Sequence, residues 1–346
     1  MVTAGWTTRL DRICDACRSG SDWLLTRVND NGSLGPVRDR LFYYRVPWAL
    51  ALVGELPAAA ACLDWVDRNM ISPAGEFEGV SPRGLFDERY GSYPLSCLLF
   101  GAQLVGRTDL SRRGSPRLLE WQDSSTGGFF ATWDDRTPRC EQELFPARQG
   151  AMTLLAIGRV EEAVRAGEWI VRLWDQQPQL QERLFHVSRG DGQLVTEFPD
   201  GQAEMYVTEK SRPWQHHFNG GISAAALVQL FQVTGEPRWL EAARICQAFS
   251  MTTDECQFES MQTCKSGWGS GLLWVTTRDP AYRDWTLRMG EWFCEHQFAD
   301  GHWENTRHWT PDPTEADNIE ITAEFVMHMA NLLCCLGVEE IRGADT

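Results

Sequence analysis

Helical segments of two kinds alternate along this chain, and the alternation confines it to a narrow set of folds. One kind is apolar on nearly every face: residues 46–53, 93–105, 147–157, 219–233, 267–276 and 317–336. The other kind carries a charged face: residues 6–27, 57–70, 111–122, 160–176, 238–249 and 281–297. A helix that is apolar all round belongs inside a protein, and an amphipathic helix belongs outside, packed against it. The first segment is of the outer kind and the last of the inner kind, so the two ends pair and close a ring. The pattern predicts an all-α (α/α)6 toroid, a barrel of six inner and six outer helices forming a single domain over residues 1–346. Only short β-like pieces in the loops depart from helical periodicity.

A degenerate repeat supports the ring. Outer helices end on tryptophans that lead into Gly-centred turns: Trp23 into Gly32, Trp65 into Gly75, Trp121 into Gly127, Trp169 into Gly192, and Trp292 into Gly301. A copy near Phe249 has lost its tryptophan. Repeats of this size are stacked helical hairpins. Connections from inner to outer helices are short, as at Gly54, Gly106 and Gly158, whereas those from outer to inner are long, polar and aromatic. The longest runs from about 177 to 216. Long loops in a compact domain usually carry function, and all of these lie at one end of the barrel, where the inner helices begin.

Composition removes some classes of partner. The chain has 346 residues, 43% hydrophobic and 23% charged, with a formal net charge of −16. That charge argues against nucleic acid, whose phosphates call for a basic surface. The N-terminal residues lack the basic-then-apolar order of a signal peptide, and the pattern shows no membrane span. Eleven cysteines in that context read as thiols of a reducing compartment, so the expected location is cytoplasmic. Cys14 and Cys17 have CxxC spacing but sit in an amphipathic helix without a second pair. Sixteen tryptophans suit either sugar stacking or an aromatic-lined apolar cavity.

Asp317, Glu320 and Glu324 fall at i, i+3 and i+7 on one face of the last inner helix. Capping explains acids in a first turn but not Glu324, which lies two turns in. Six helix N-termini converge at the same end, a geometry that favours an anion. Arg45, Arg89, Arg148 and Lys265 stand at or beside the inner-helix starts, with His216, His217 and Asn219. Further carboxylates gather there (Asp87, Glu88, Asp134, Asp135, Glu141, Glu143), as do Tyr43, Tyr44, Tyr90, Tyr93, Trp133, Trp214, Trp268 and Trp303.

Two chemistries fit such a cup. A glycosidase or sugar epimerase needs an acid/base pair and aromatic platforms, with Asp87, Asp191, Glu304 or His217 as candidates. A prenyl-diphosphate lyase needs acids to hold Mg2+, cations for the leaving diphosphate, and apolar walls around a carbocation. The inner helices carry Leu98, Leu99, Met152, Leu155, Ala225, Leu272, Leu273 and Met327 in their second turns, which favours an isoprenoid tail. A toroid that only binds a partner through its loops is a third possibility.

Trp121-Gln122 and the stretch from Gln297 to Trp303 resemble the Gln-Trp-type turns of the α/α-toroid superfamily of terpenoid cyclases and protein prenyltransferases. The Asp-x-Asp-Asp motif of that superfamily's protonating cyclases is absent, Trp133-Asp134-Asp135 coming nearest. The Asp-Asp-x-x-Asp of ionising terpene synthases fails at its last position after Asp134-Asp135, and the stretch from Asp317 to Glu324 is similar to their second metal motif only loosely. In general character the chain resembles the atypical fungal humulene synthases of tropolone-sesquiterpenoid pathways. That resemblance implies a sesquiterpene cyclase that ionises farnesyl diphosphate with Mg2+ as cofactor. In that reading Asp317, Glu320 and Glu324, with Asp87 or Asp134, hold the metal. Arg45, Arg89, Arg148, Lys265, His217 and Asn219 take the diphosphate, and Trp214, Trp268, Phe218 and Tyr93 line the cation pocket. The expected partner is a small-molecule prenyl diphosphate, with no nucleic acid and no membrane, and assembly as a homodimer is left open.

Overall fold

The computed structural model describes residues 4–79, 89–133, 137, 139–259, 263–304 and 312–337. Its outer helices are α1 (Ala4–Leu25), α3 (Leu56–Asn69), α5 (Thr108–Leu119), α7 (Val160–Asp175), α9 (Pro237–Met251) and α11 (Pro280–Glu295). Its inner helices are α2 (Val46–Leu52), α4 (Ser92–Val105), α6 (Leu144–Ala156), α8 (Asn219–Thr234), α10 (Ser266–Thr277) and α12 (Glu315–Leu336). Each inner helix packs on the next, and α12 packs on both α2 and α1, so the ring closes on the first and last helices. The fold is the expected all-α toroid.

Local chemistry sets the helix starts. Proline in the first turn opens α3, α9 and α11, where its missing N–H leaves no helix bond unmade. A capping box between Thr314 and Asp317 opens α12. Burial follows the two-kind pattern: on α8 every residue from Asn219 to Val228 is buried. By length and composition α12 is apolar enough to cross a membrane, yet most of it is buried as the sixth inner helix. All eleven cysteines are free thiols.

The repeat glycines join one hairpin to the next. Gly32, Gly75, Gly127 and Gly301 all have positive φ. A Cβ added to them would lie between 2.0 and 2.4 Å from the carbonyl oxygens of Ala61, Arg113, Arg165 and Ser19. Those oxygens belong to the next outer helix in each case, and for Gly301 the next helix is α1. Only a residue without a side chain allows both the left-handed backbone and this approach. Two glutamines reinforce the joint. Gln122 Nε2 donates to the carbonyls of Gly127 and Glu162 at 3.0 and 2.9 Å, and Gln297 Nε2 donates to those of Gly301 and Ala16, both at 2.8 Å. The Gln-Trp-type turns are therefore ring joints.

Gly192 departs from this scheme, having no atom within 4 Å of an added Cβ. The turn it belongs to is part of the long connection from α7 to α8. Three short strands form here, β2 (Arg183–Phe185), β3 (Val187–Arg189) and β4 (Val207–Glu209), and a fourth, β1 (Glu141–Glu143), directly precedes α6. β1 pairs with β3 and β2 with β4, both antiparallel, with Glu143 opposite Val187 and Leu184 opposite Thr208. The two ribbons fold the connection back over the start of α6 and bring His186 and Thr208 to the cup wall.

Replacing Gly301 with Ala combines an unfavourable backbone with a collision against Ser19, so it should cost about 3 kcal/mol or more in urea unfolding. Gly192→Ala meets only the backbone penalty, about 1–2 kcal/mol. Equal losses in the two variants would contradict the joint.

Candidate active site

The base of the cup is a buried ion network built on α12. Glu320 Oε1 accepts from the Tyr44 hydroxyl and from Arg45 Nη1. Arg45 Nη1 also meets Glu324 Oε2 at 2.9 Å, and Arg45 Nη2 donates to the Tyr93 hydroxyl at 2.7 Å. Lys265 Nζ pairs with Glu324 Oε1 at 2.9 Å. Arg45 and Lys265 are the residues on which α2 and α10 begin, so Glu324 ties three neighbouring inner helices. Burial acts to lower the Arg45 pKa, but Glu320 and Glu324 together outweigh it and hold the guanidinium charged. For Lys265 burial wins over the attraction of Glu324, and its pKa falls below the ordinary value.

A second polar bridge spans α6 and α8. Arg148 Nη1 donates to Asn219 Oδ1 at 2.6 Å, and Asn219 Nδ2 donates to Thr208 Oγ1 at 3.2 Å. Burial lowers the Arg148 pKa to about 10, against the attraction of Glu143. Glu143 itself accepts from the Phe145 amide as the N-cap of α6 and binds His186 Nδ1 at 2.9 Å.

Between these bridges lies a partly enclosed cavity of about 20 Å³, room for about one water molecule with the side chains as they stand. Its lining is aromatic (Tyr93, Phe145, Phe218, Trp268) and polar (Arg148, Gln149, Lys265, Glu324, His328), with Ile222 and Met327. His328 follows Glu324 by one helical turn, its Nε2 4.0 Å from Glu324 Oε1. Burial drives its pKa well below 6.5, and Lys265, Arg45 and Arg148 push the same way, so the imidazole is neutral at pH 7.

Of the residues singled out from sequence, Tyr93, Arg148, Lys265, Trp268, Phe218 and Glu324 meet at the cavity, with Arg45, Glu320 and Asn219 one contact behind. The others are employed elsewhere. Asp317 Oδ2 accepts from the Thr314 hydroxyl and amide, so it caps α12. Arg89 pairs with Glu141 at 2.8 Å and donates to the Tyr206 hydroxyl. His217 Nε2 lies 3.1 Å from the Glu209 carbonyl, and Trp214 sits in the approach to α8 with φ of 63°. Asp191 caps a turn at Gln193 and Glu304 contacts His302. Asp87, Glu88, Asp134 and Asp135 lie outside the described residues.

Two expectations change. The metal set is divided, because Glu320 and Glu324 are occupied by Arg45 and Lys265 while Asp317 caps its helix. Among the described residues no group of three or more His, Cys, Asp or Glu is arranged to hold a metal. The apolar second-turn residues pack as core, and of that set only Met327 lines the cavity. Sequence reading passed over His328, Gln149 and His186. The available signal for His328 was its i+4 spacing from Glu324 on the same face.

No protein-family model and no curated sequence matches this chain. Solved structures do. A D-mannose isomerase superposes with a TM-score of 0.70 at 12% identity, covering 96% of this chain and 100% of its own. The likeness is one of fold. An α-1,6-mannanase from a Salegentibacter species, an inactive variant with two consecutive aspartates replaced and solved with α-1,6-mannotetrose, gives 0.60 at 13% identity, over 93% of this chain and 98% of its own. A type II terpene cyclase from Scytonema gives 0.57 at 14% identity, over 95% and 99%. None of these three is a humulene synthase.

Glu324→Gln would leave Arg45 and Lys265 buried with one carboxylate fewer, and breaking a buried ionic pair costs about 3–5 kcal/mol. The exposed pair of Arg9 and Glu291 provides the control, since Glu291→Gln should cost less than about 1 kcal/mol. Urea unfolding at pH 7 separates the two, and a Glu324→Gln loss as small as the control's would return Glu324 to an ordinary helix acid.

Proposed function

We propose that this chain is an enzyme that binds a single small sugar in the cup and moves a proton on it, as an aldose–ketose isomerase or an epimerase. The observation that carries the reading is a neutral histidine, His328, in a small aromatic cavity beside two cations. Aromatic faces suit the C–H faces of a sugar ring, and Gln149 offers an amide to hydroxyls. A neutral imidazole is a competent general base at pH 7. In the proposed step His328 takes the proton from the carbon next to the sugar carbonyl. Lys265 stabilises the resulting enediolate oxygen, and Glu324 stabilises the imidazolium. Return of the proton to the neighbouring carbon, with the hydroxyl proton passing from O2 to O1, gives the isomer, and return to the opposite face of the same carbon gives the epimer. The fold shared with a mannose isomerase and a mannanase adds to the support.

Hydrolysis of a mannoside is a variant of this reading. It is favoured by the consecutive Asp134 and Asp135 in the loop between α5 and α6, as a mannanase of this fold is inactive when two consecutive aspartates are replaced. Ionisation of farnesyl diphosphate with Mg2+ to a sesquiterpene such as humulene is the second reading. Its support is the cation cluster beneath aromatic walls, and it requires Glu320 and Glu324 to exchange Arg45 and Lys265 for a metal.

Purified protein incubated in D2O with mannose, glucose, fructose and their uronates should wash deuterium into the carbon beside the carbonyl, read by proton NMR. His328→Gln should slow that exchange by about 10²–10⁴-fold while keeping its thermal midpoint. Absence of exchange in every sugar would overturn the reading, and hydrocarbon release from farnesyl diphosphate with Mg2+ would install the second.

A further inference from the structure

The charges around the cavity do not balance. Arg45 is shared between Glu320 and Glu324, and Lys265 is paired with Glu324. Arg148 has no carboxylate within ion-pair distance among the described residues, although it is 2% exposed. Among the described residues its hydrogen bonds run from Nη1 to the side-chain and backbone oxygens of Asn219, both neutral. Nε and Nη2 make none among the described residues, and the side chain lines the cavity. Glu143, the carboxylate that acts on Arg148 most strongly through space, faces His186 and the start of α6 instead. Among the described residues, three buried cations therefore stand at this site beside the two carboxylates that pair with them.

An unpaired buried charge is costly, with an effective penalty of several kcal/mol per ion even after relaxation. The surroundings add to the imbalance. α8 and α10 start beside Arg148 and Lys265 with no acidic residue in the first turn, so their positive dipole ends add potential where cations already stand. Nearby aromatic faces stabilise the cations only in part, with Arg148 5.1 Å and Lys265 4.6 Å from the Phe218 ring centroid. An incoming anion would offset the excess, and a planar carboxylate matches the guanidinium fork of Arg148.

We infer that the cup is built for an acidic monosaccharide, a hexuronate whose carboxylate is taken by Arg148 with Lys265 beside it. The inference rests on the carbohydrate reading and sharpens it to a substrate class.

Calorimetric titration of the full chain tests it with mannuronate, glucuronate, mannose, glucose and mannose 6-phosphate. The hexuronate of one configuration should bind at least about tenfold more tightly than its neutral hexose. In Arg148→Gln the ratio should fall to within about twofold, and Arg148→Lys should retain most of the preference. Arg148→Gln also removes an unpaired buried cation, so its ligand-free thermal midpoint should equal or exceed that of the wild type. Equal binding of hexose and hexuronate by the wild type would overturn the inference and leave the sugar reading standing. Tighter binding of mannose 6-phosphate would overturn the carboxylate assignment. Binding of no sugar at all would remove both readings together.

Discussion

Glu324 holds the starts of two other inner helices at once, with Arg45 at the head of α2 on one oxygen and Lys265 at the head of α10 on the other. Together with the bond from Arg45 to Tyr93 on α4, one carboxylate fixes the relative positions of four of the six inner helices around the cavity. The bridge from Arg148 to Asn219 fixes the remaining two, α6 and α8. Such buried ionic groups contribute little net stability compared with apolar packing, because desolvation offsets most of the attraction. What they supply here is geometry. Removing one member leaves its partners charged and unpaired, so the arrangement tolerates few alternatives.

The same network sets what the cup offers a ligand. Glu320 and Glu324 are already paired with guanidinium and ammonium groups, and Asp317 is bound to the helix start it caps. The cations exceed the carboxylates, and His328 is held neutral by burial and by those same cations. A neutral base beside excess positive charge is arranged to remove a proton from carbon and to stabilise the oxyanion that results. Arg148 is buried with no ion-paired carboxylate among the described residues, and in the proposed reading a ligand supplies one.

Much of the architecture was legible because its signals are local and repeated. Apolar-all-round segments such as 219–233 can only be interior, and the glycines at 32, 75, 127 and 301 recur because each approaches a neighbouring helix backbone. Where the period broke, at Gly192, the sequence offered a copy of the turn without its contacts, and the ribbons that replace it depend on pairings between residues far apart in the chain. The site was legible in its members but not in their partners. Arg45, Arg148, Lys265, Glu320 and Glu324 carried the right positional signal, yet whether a carboxylate meets a metal or an arginine is a matter of angstroms across the barrel. His328 lay hidden in an apolar run because its neutrality comes from burial, which no spacing reveals.

A crystal structure of the protein soaked with an open-chain sugar acid such as mannonate would test the central claim most directly. The account predicts density in the cavity between Trp268 and Phe145, with the carboxylate on Arg148 and the chain within reach of His328, while Arg45 stays on Glu320 and Glu324. An empty cavity at saturating ligand would contradict it. So would a divalent ion displacing Arg45 from the two glutamates.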